Sequence, residues 1–266
     1  MNEHGLGMAA LHFPHSAVYH PPRPGMHNVA SIEVIPWVLS RCATPEEAIS
    51  LLRDTNVTGD DFSPRLPSTP LHWLVADAHR AVTVESVAEG IRIYENPVGV
   101  MANEPPFPYH MTRLADIMQV TPEPPRNRPR PHSPLSAYSR GMGGIGLPGD
   151  FSSVSRFMRG VYAKTHTAHR DTPAGEINRF FHVMDTVSQP EGCALTAEGL
   201  PVATVYTSCG DLLTGDYHFT TYDCRRIRRV SLRDHRLDGS APMLFTLNRP
   251  YDDGWEDVPS ADGHRS

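Results

Sequence analysis

Three short runs of β-branched and aromatic residues follow one another in the first half of the chain. They occupy residues 73–76, 81–85 and 91–94, and polar or glycine-bearing turns separate them. Short strands joined by such turns are typical of an antiparallel meander. We therefore predict three sequential strands here, and a further strand at 98–101 after a turn at Asn96-Pro97.

Helical signals precede this meander. Thr44 can cap a helix, Pro45 suits its first turn, and Glu47 completes a capping box, so a helix is predicted to begin at this point. Residues 29–39 are also predicted to be helical, with a kink or break at Pro36, because proline cannot donate a helix hydrogen bond.

Two more helices are predicted after a proline- and arginine-rich loop at 121–134. Asp150 is predicted to cap a helix over 151–165. Thr172 is predicted to cap a second helix that begins at Pro173. Both segments carry apolar residues at helical spacing, so each is expected to bury one face.

Three further strands are predicted at 202–207, 217–222 and 227–232. Strands that are grouped apart from the helices indicate an α+β fold, with antiparallel sheets covered by helices. We expect residues 1–247 to form one domain, and 248–266 to be a loose polar tail.

The composition argues against several classes of function. The net charge of −6 disfavours a nucleic-acid partner, which would need a basic face. No apolar run reaches the length of about 18 residues that a membrane span needs. Residues 1–10 do not form a signal peptide, and the four cysteines form no CxxC pair. We therefore expect a cytoplasmic protein with no zinc site and no disulfide scaffold.

Two local motifs leave the chemistry open. The glycine-rich stretch 141–149 could hold a phosphate, but it lacks the spacing of a dinucleotide or P-loop motif, which favours a turn-rich loop. Cys209 ends a predicted strand and could be a nucleophile. An inert buried thiol is the stronger interpretation, because no base is evident beside it.

The histidines also allow two interpretations. His12 and His15 are three residues apart, as are His166 and His169, yet no HExxH motif or completing carboxylate accompanies them. Solvated or core histidines are therefore favoured over a metal site, and no cofactor is expected.

Seven segments of the sequence form an ordered set. They are NEHGLGMA (2–9), PLHWLVAD (70–77), YENPVGVMAN (94–103), YSRGMGGIGLPGD (138–150), SSVSRF (152–157), FFH (180–182) and YTSC (206–209). The set resembles the choloylglycine hydrolases, the family of bile-salt hydrolases and penicillin V acylases, and most of all the bile-salt branch. The resemblance extends from the first residue to about Gly239.

The resemblance implies an N-terminal nucleophile hydrolase fold, an αββα sandwich of two antiparallel sheets between helix layers. It also implies hydrolysis of a linear amide such as a conjugated bile acid, with penicillin V or acyl-homoserine lactones as other substrates. In this family the thiolate of an N-terminal cysteine attacks the amide, and its own α-amino group is the base. A homo-oligomer is implied as well.

The family's nucleophilic cysteine, and the arginine and aspartate soon after it, have no counterpart in residues 1–266, because Asn2 matches an internal family position. We therefore expect an N-terminally truncated form of the domain that is inactive without the upstream cysteine. The alternative is a non-catalytic remnant that at most binds an amphipathic acid.

Three candidate site residues carry over by resemblance. Asn103 matches the asparagine that helps to form the oxyanion hole, where amide donors stabilise developing negative charge. Arg156 matches the arginine near the nucleophile, and its helical position is opposite the apolar stripe, although a solvated arginine is the simpler interpretation of that residue alone. His12 stands where the bile-salt branch has an asparagine, and its imidazole N–H could donate instead.

Overall fold

The computed structural model describes residues 1–128 and 132–245. The chain divides into two compact units, residues 1–188 and 189–266. The first unit contains six strands and five α-helices among its described residues. They are β1 (Gly7–His12), β2 (His27–Ala30), α1 (Val34–Leu39), α2 (Pro45–Arg53), β3 (Thr55–Thr58), β4 (Leu71–Ala76), β5 (Ala81–Val87), β6 (Gly90–Glu95), α3 (Phe107–Arg113), α4 (Ser153–His166) and α5 (Pro173–Asp185).

The central feature of the first unit is a four-stranded antiparallel sheet in the order β1-β4-β5-β6. The predicted meander is confirmed as β4, β5 and β6. The predicted strand at 98–101 is wrong. The Asn96 side chain accepts from the Gly99 N–H and donates to the Val100 oxygen, and Gly99 has a φ of 58°, so the chain turns there.

One face of this sheet covers the main core. Trp73 and Val75 on β4 alternate with residues of the opposite face and pack beside Val82 and Val84 on β5. The two helices α1 and α2 lie in the same buried cluster. Strand β1 was not predicted, because its sequence GMAALH has no β-branched residue, and its pairing with β4 places it in the sheet.

The region predicted as a helix over 29–39 is in part a strand. Val29 belongs to β2, which pairs in parallel with β3 through Val57, and a 3-10 turn separates β2 from α1. Helix α1 begins only at Val34. Pro36 therefore lies in its first turn, where the missing N–H has no helical partner to lose, and it does not break the helix.

The predicted start of α2 is confirmed. The Thr44 hydroxyl accepts from the Glu47 N–H at 3.3 Å, and the Glu47 carboxylate accepts from the Ala43 N–H at 2.6 Å. The carboxylate thus reaches one residue further back than in the usual reciprocal box. These bonds give partners to N–H groups that the helix itself cannot satisfy.

We expect Thr44→Ala to lower the free energy of unfolding by about 1 kcal/mol, the usual cost of removing an N-cap side chain. Urea denaturation would measure it. Thr165→Ala is the matched control, because Thr165 is an exposed residue inside α4, where alanine has the higher helix propensity. Equal losses in the two variants would contradict a capping role for Thr44.

The two later helices are close to their predicted positions, but one cap differs. Ser152, and not Asp150, is the N-cap of α4, and its hydroxyl accepts from the Ser155 N–H. Asp150 instead accepts from the Ser152 N–H and the Ser155 hydroxyl. It therefore stabilises the capped end of α4 from a position before the helix. Thr172 caps α5 as predicted.

The second unit contains an antiparallel sheet of β7 (Tyr206–Asp211), β8 (Asp216–Thr221) and β9 (Arg228–Ser231). The last two agree with the predicted strands, whereas the first begins four residues later than the predicted 202–207. The Asp211 carboxylate binds the N–H groups of the β7–β8 turn and so sets where β7 ends. The predicted tail begins at 248, outside the described residues, and the single domain over 1–247 stays a prediction.

The helices of residues 1–128 and 132–245 bear on the prediction that the chain has no membrane span. No helix there has the length and apolar character that a bilayer crossing requires.

Candidate active site

Asn103 lies in the loop between β6 and α3, and its amide orientation is fixed by two partners. Its Nδ2 donates to the His12 backbone oxygen at 2.9 Å, and its Oδ1 accepts from Arg156 Nη2 at 2.8 Å. A guanidinium can only donate and a carbonyl can only accept, so the amide has one consistent orientation. Within the described residues, Nδ2 has no second partner, which leaves one N–H to donate to a ligand.

Arg156 projects from the first turns of α4 and is half-buried. Its Nε donates to the Phe151 backbone oxygen at 3.1 Å while Nη2 binds Asn103. Burial, and then the nearby Arg159 charge, lower the pKa of Arg156 from its usual value. The guanidinium therefore orients the Asn103 amide and also places a positive charge beside it.

His12 reaches the site through its backbone and not its side chain. Its carbonyl oxygen is the acceptor for Asn103, and the residue as a whole is exposed at the end of β1. The structure thus brings all three candidate residues together, but the contact with Asn103 does not use the imidazole. A donor role for that imidazole stays a prediction.

The loop that carries Asn103 is also held by the side chain of its next residue, Glu104. The Glu104 carboxylate accepts from the backbone N–H groups of His15 and Ser16 at 2.9 and 2.8 Å, and from the Ser16 hydroxyl at 2.8 Å. The end of β1 and the residues after it are therefore joined to the segment after β6 at two adjacent positions, Asn103 and Glu104. Sequence reasoning missed Glu104, and no local motif pointed to it.

A buried polar cluster lies next to Asn103. His110 on α3 is 1% exposed, and its Nε2 donates to the Asn103 backbone oxygen at 2.9 Å. His72 and Glu85 are fully buried register partners on β4 and β5, with His72 Nδ1 3.4 Å from Glu85 Oε1. The same Oε1 accepts from the Phe107 N–H at 2.8 Å. Sequence reasoning missed this cluster as well.

Burial lowers the pKa of His110 more than its bond to Asn103 raises it. An unfolded histidine has a pKa of about 6.5. As the pH falls below that value, the unfolded chain binds a proton that the native His110 does not accept. The free energy of unfolding then decreases by about 1.4 kcal/mol per pH unit until the native pKa is reached.

We therefore expect wild-type protein to lose more stability between pH 7.5 and 5 than His110→Phe, which has no group to titrate at this position. Urea denaturation at several pH values would measure the two slopes. Parallel slopes would show that His110 does not contribute to acid sensitivity.

Among the described residues, the other candidate groups form no comparable site. Cys209 lies in β7 and is buried, and burial, with the Asp211 charge second, raises its pKa to about 11, so its thiol is a poor nucleophile. Across residues 1–128 and 132–245, no group of three His, Cys, Asp or Glu side chains is arranged to hold a metal ion.

The comparisons with known proteins agree with one another. The profile of the linear amide C–N hydrolases, choloylglycine hydrolase family, matches residues 1–245. A bile salt hydrolase/transferase from Lactiplantibacillus plantarum is 40% identical over 247 residues, which are 93% of this chain and 76% of that protein. A bile salt hydrolase/transferase from Bifidobacterium longum is 33% identical over 240 residues, 90% of this chain and 75% of that protein.

A solved structure shows the same fold. A variant of the conjugated bile acid hydrolase from Clostridium perfringens superposes with a TM-score of 0.87 at 28% identity, over 97% of this chain and 78% of that chain. The predicted α+β class and N-terminal nucleophile hydrolase fold are thereby confirmed. Because the family profile covers residues 1–245 and the identity to a bile salt hydrolase/transferase reaches 40%, the chain belongs to the choloylglycine hydrolase family of linear amide C–N hydrolases.

Proposed function

We propose that this protein hydrolyses the amide bond of a conjugated bile acid. Family membership supports amide hydrolysis in general. Two relatives that are 40% and 33% identical to this chain are bile salt hydrolases/transferases, which favours a bile acid conjugated to glycine or taurine over penicillin V or an acyl-homoserine lactone.

The observation that carries the proposal is the orientation of the Asn103 amide. Its Oδ1 is occupied by Arg156 and one N–H by the His12 oxygen, so the second N–H is available to a substrate. When a nucleophile attacks an amide carbonyl, negative charge develops on the carbonyl oxygen. A donor that is already oriented stabilises this charge without reorganisation. The Arg156 charge polarises the amide and adds to the effect.

The nucleophile is a separate part of the proposal. By family resemblance it is the thiolate of an N-terminal cysteine. The α-amino group of that cysteine accepts the proton of the thiol and later donates it to the leaving amine. None of the four cysteines in residues 1–266 matches that position. In our proposal residues of this chain therefore bind the substrate and stabilise the oxyanion, and the nucleophilic thiol is not one of the four cysteines in residues 1–266.

The test measures release of glycine from glycocholate by protein expressed from the whole reading frame. Residues 1–266 alone, and a Cys209→Ala variant of the longer protein, are the comparisons. We expect release by the longer protein and by its Cys209→Ala variant, and none by residues 1–266.

Each contrary result has a distinct meaning. No release by any form, together with saturable binding of glycocholate, would support a binding protein without turnover. Release by residues 1–266 that depends on Cys209 would overturn the assignment of the nucleophile. The proposed homo-oligomeric state would be tested on the same samples by light scattering.

A further inference from the structure

We propose that His110 and Glu85 are positioning residues that hold the Asn103 amide where it can stabilise the oxyanion. This inference rests on the proposed function. It assigns a role to a buried cluster that, among the described residues, has no hydrogen bond to Arg156 or to the Asn103 side chain.

The proline content of the loop makes such side-chain anchors necessary. The sequence from Asn103 to Phe107 is Asn-Glu-Pro-Pro-Phe, and neither Pro105 nor Pro106 has a backbone N–H to donate. Regular backbone hydrogen bonding cannot fix a segment of this kind. The side chains of neighbouring elements must hold the peptide groups that remain.

His110 holds the first of these groups. Its Nε2 donates to the Asn103 backbone oxygen at 2.9 Å, so the ring must carry its proton on that nitrogen. The ring itself is packed against Phe157, with centroids 4.8 Å apart, which fixes its plane. His110 therefore ties the main chain of Asn103 to α3, seven residues further along the chain.

Glu85 holds the other end of the same segment. Its Oε1 accepts from the Phe107 N–H at 2.8 Å, at the first residue of α3. Glu85 itself lies in β5, an interior strand of the sheet, and is fully buried. His72 stands opposite it on β4 and is stacked on Phe13, with ring centroids 4.2 Å apart, so the carboxylate is confined on that side too.

The two anchors connect the site to an interior strand of the sheet and to α3. A carboxylate is costly to bury, and a fully apolar group at position 85 would pack without that cost. The carboxylate provides an acceptor at a fixed point of the sheet. Displacement of a catalytic donor by about 1 Å can reduce a rate by roughly a hundredfold, so such anchoring has a large effect on the reaction.

The experiment is a double-mutant cycle in the active, full-length protein. His110→Phe removes the donor and keeps an aromatic ring against Phe157. We expect it to lower kcat roughly tenfold with little change in KM, because the free amide N–H is displaced and not removed. In an Asn103→Ala background the same substitution should cause no further loss, because the displaced donor is already absent.

Three variants separate positioning from general stability. Met111→Ala removes a partly buried contact from α3 near the same core and should lower the melting temperature without changing kcat. Glu85→Gln retains an acceptor for the Phe107 N–H and should keep kcat within about threefold of wild type, whereas Glu85→Leu should lose activity as His110→Phe does.

The outcomes distinguish this inference from the proposed function. If wild-type protein hydrolyses no amide, the proposed function fails, and the inference is then decided by the ¹⁵N-edited NMR signals of the Asn103 side chain. We expect two well-separated amide protons in wild type and in Met111→Ala, and shifted or averaged protons in His110→Phe. Unchanged Asn103 side-chain signals in His110→Phe would overturn the inference. So would a loss of kcat on His110→Phe that is equal in the wild-type and Asn103→Ala backgrounds.

Discussion

Replacing Asn103 by alanine in the active, full-length protein is expected to lower kcat for glycocholate by roughly a hundredfold to a thousandfold, the usual cost of losing one oxyanion donor. The alanine cannot donate to the developing charge. It also leaves Arg156 Nη2 and the His12 oxygen without the partner that they have in the native loop. KM should change much less, because the lost interaction is strongest in the transition state.

Two further variants sharpen this prediction. Asn103→Asp should be nearly as damaging, because a carboxylate offers no N–H and would place an oxygen against the His12 carbonyl. Asn178→Ala is the matched control, since the Asn178 side chain also donates to a backbone oxygen but lies exposed on α5. Steady-state kinetics with glycocholate would measure all three. Native kinetics for Asn103→Ala would show that the oxyanion donor is another residue.

The second large effect concerns stability. Phe157→Ala is expected to lower the free energy of unfolding by about 3–5 kcal/mol, because it removes a fully buried ring and leaves a cavity. Phe157 packs edge-on against Phe107, with centroids 6.3 Å apart, and against His110. Such a loss is a large share of the roughly 5–15 kcal/mol that stabilises a typical domain.

Urea denaturation followed by circular dichroism would measure the loss. Phe62→Ala is the matched control, because the same side chain is 60% exposed there and its removal should change stability by less than about 0.5 kcal/mol. A loss below about 1 kcal/mol for Phe157→Ala would mean that the core formed by α3 and α4 closes around the missing ring.

Local signals in the sequence determined several elements of the fold. The meander of β4 to β6 follows from short runs of β-branched and aromatic residues between turns, and the starts of α2 and α5 follow from Thr44 and Thr172 before a proline. In each case the information lies within a few residues along the chain. The family resemblance added the candidate residues Asn103 and Arg156, which no spacing or composition rule had singled out.

Tertiary structure decided the rest, because the decisive contacts join residues that are distant in sequence. Asn103 meets the His12 backbone across 91 positions and Arg156 across 53, and β1 becomes a strand only by pairing with β4. The cluster of His72, Glu85 and His110 could not be foreseen for the same reason. In the local sequence, each of these residues is an ordinary strand or helix position. Only the register of β4 with β5 and the packing of α3 bring them together next to the Asn103 loop.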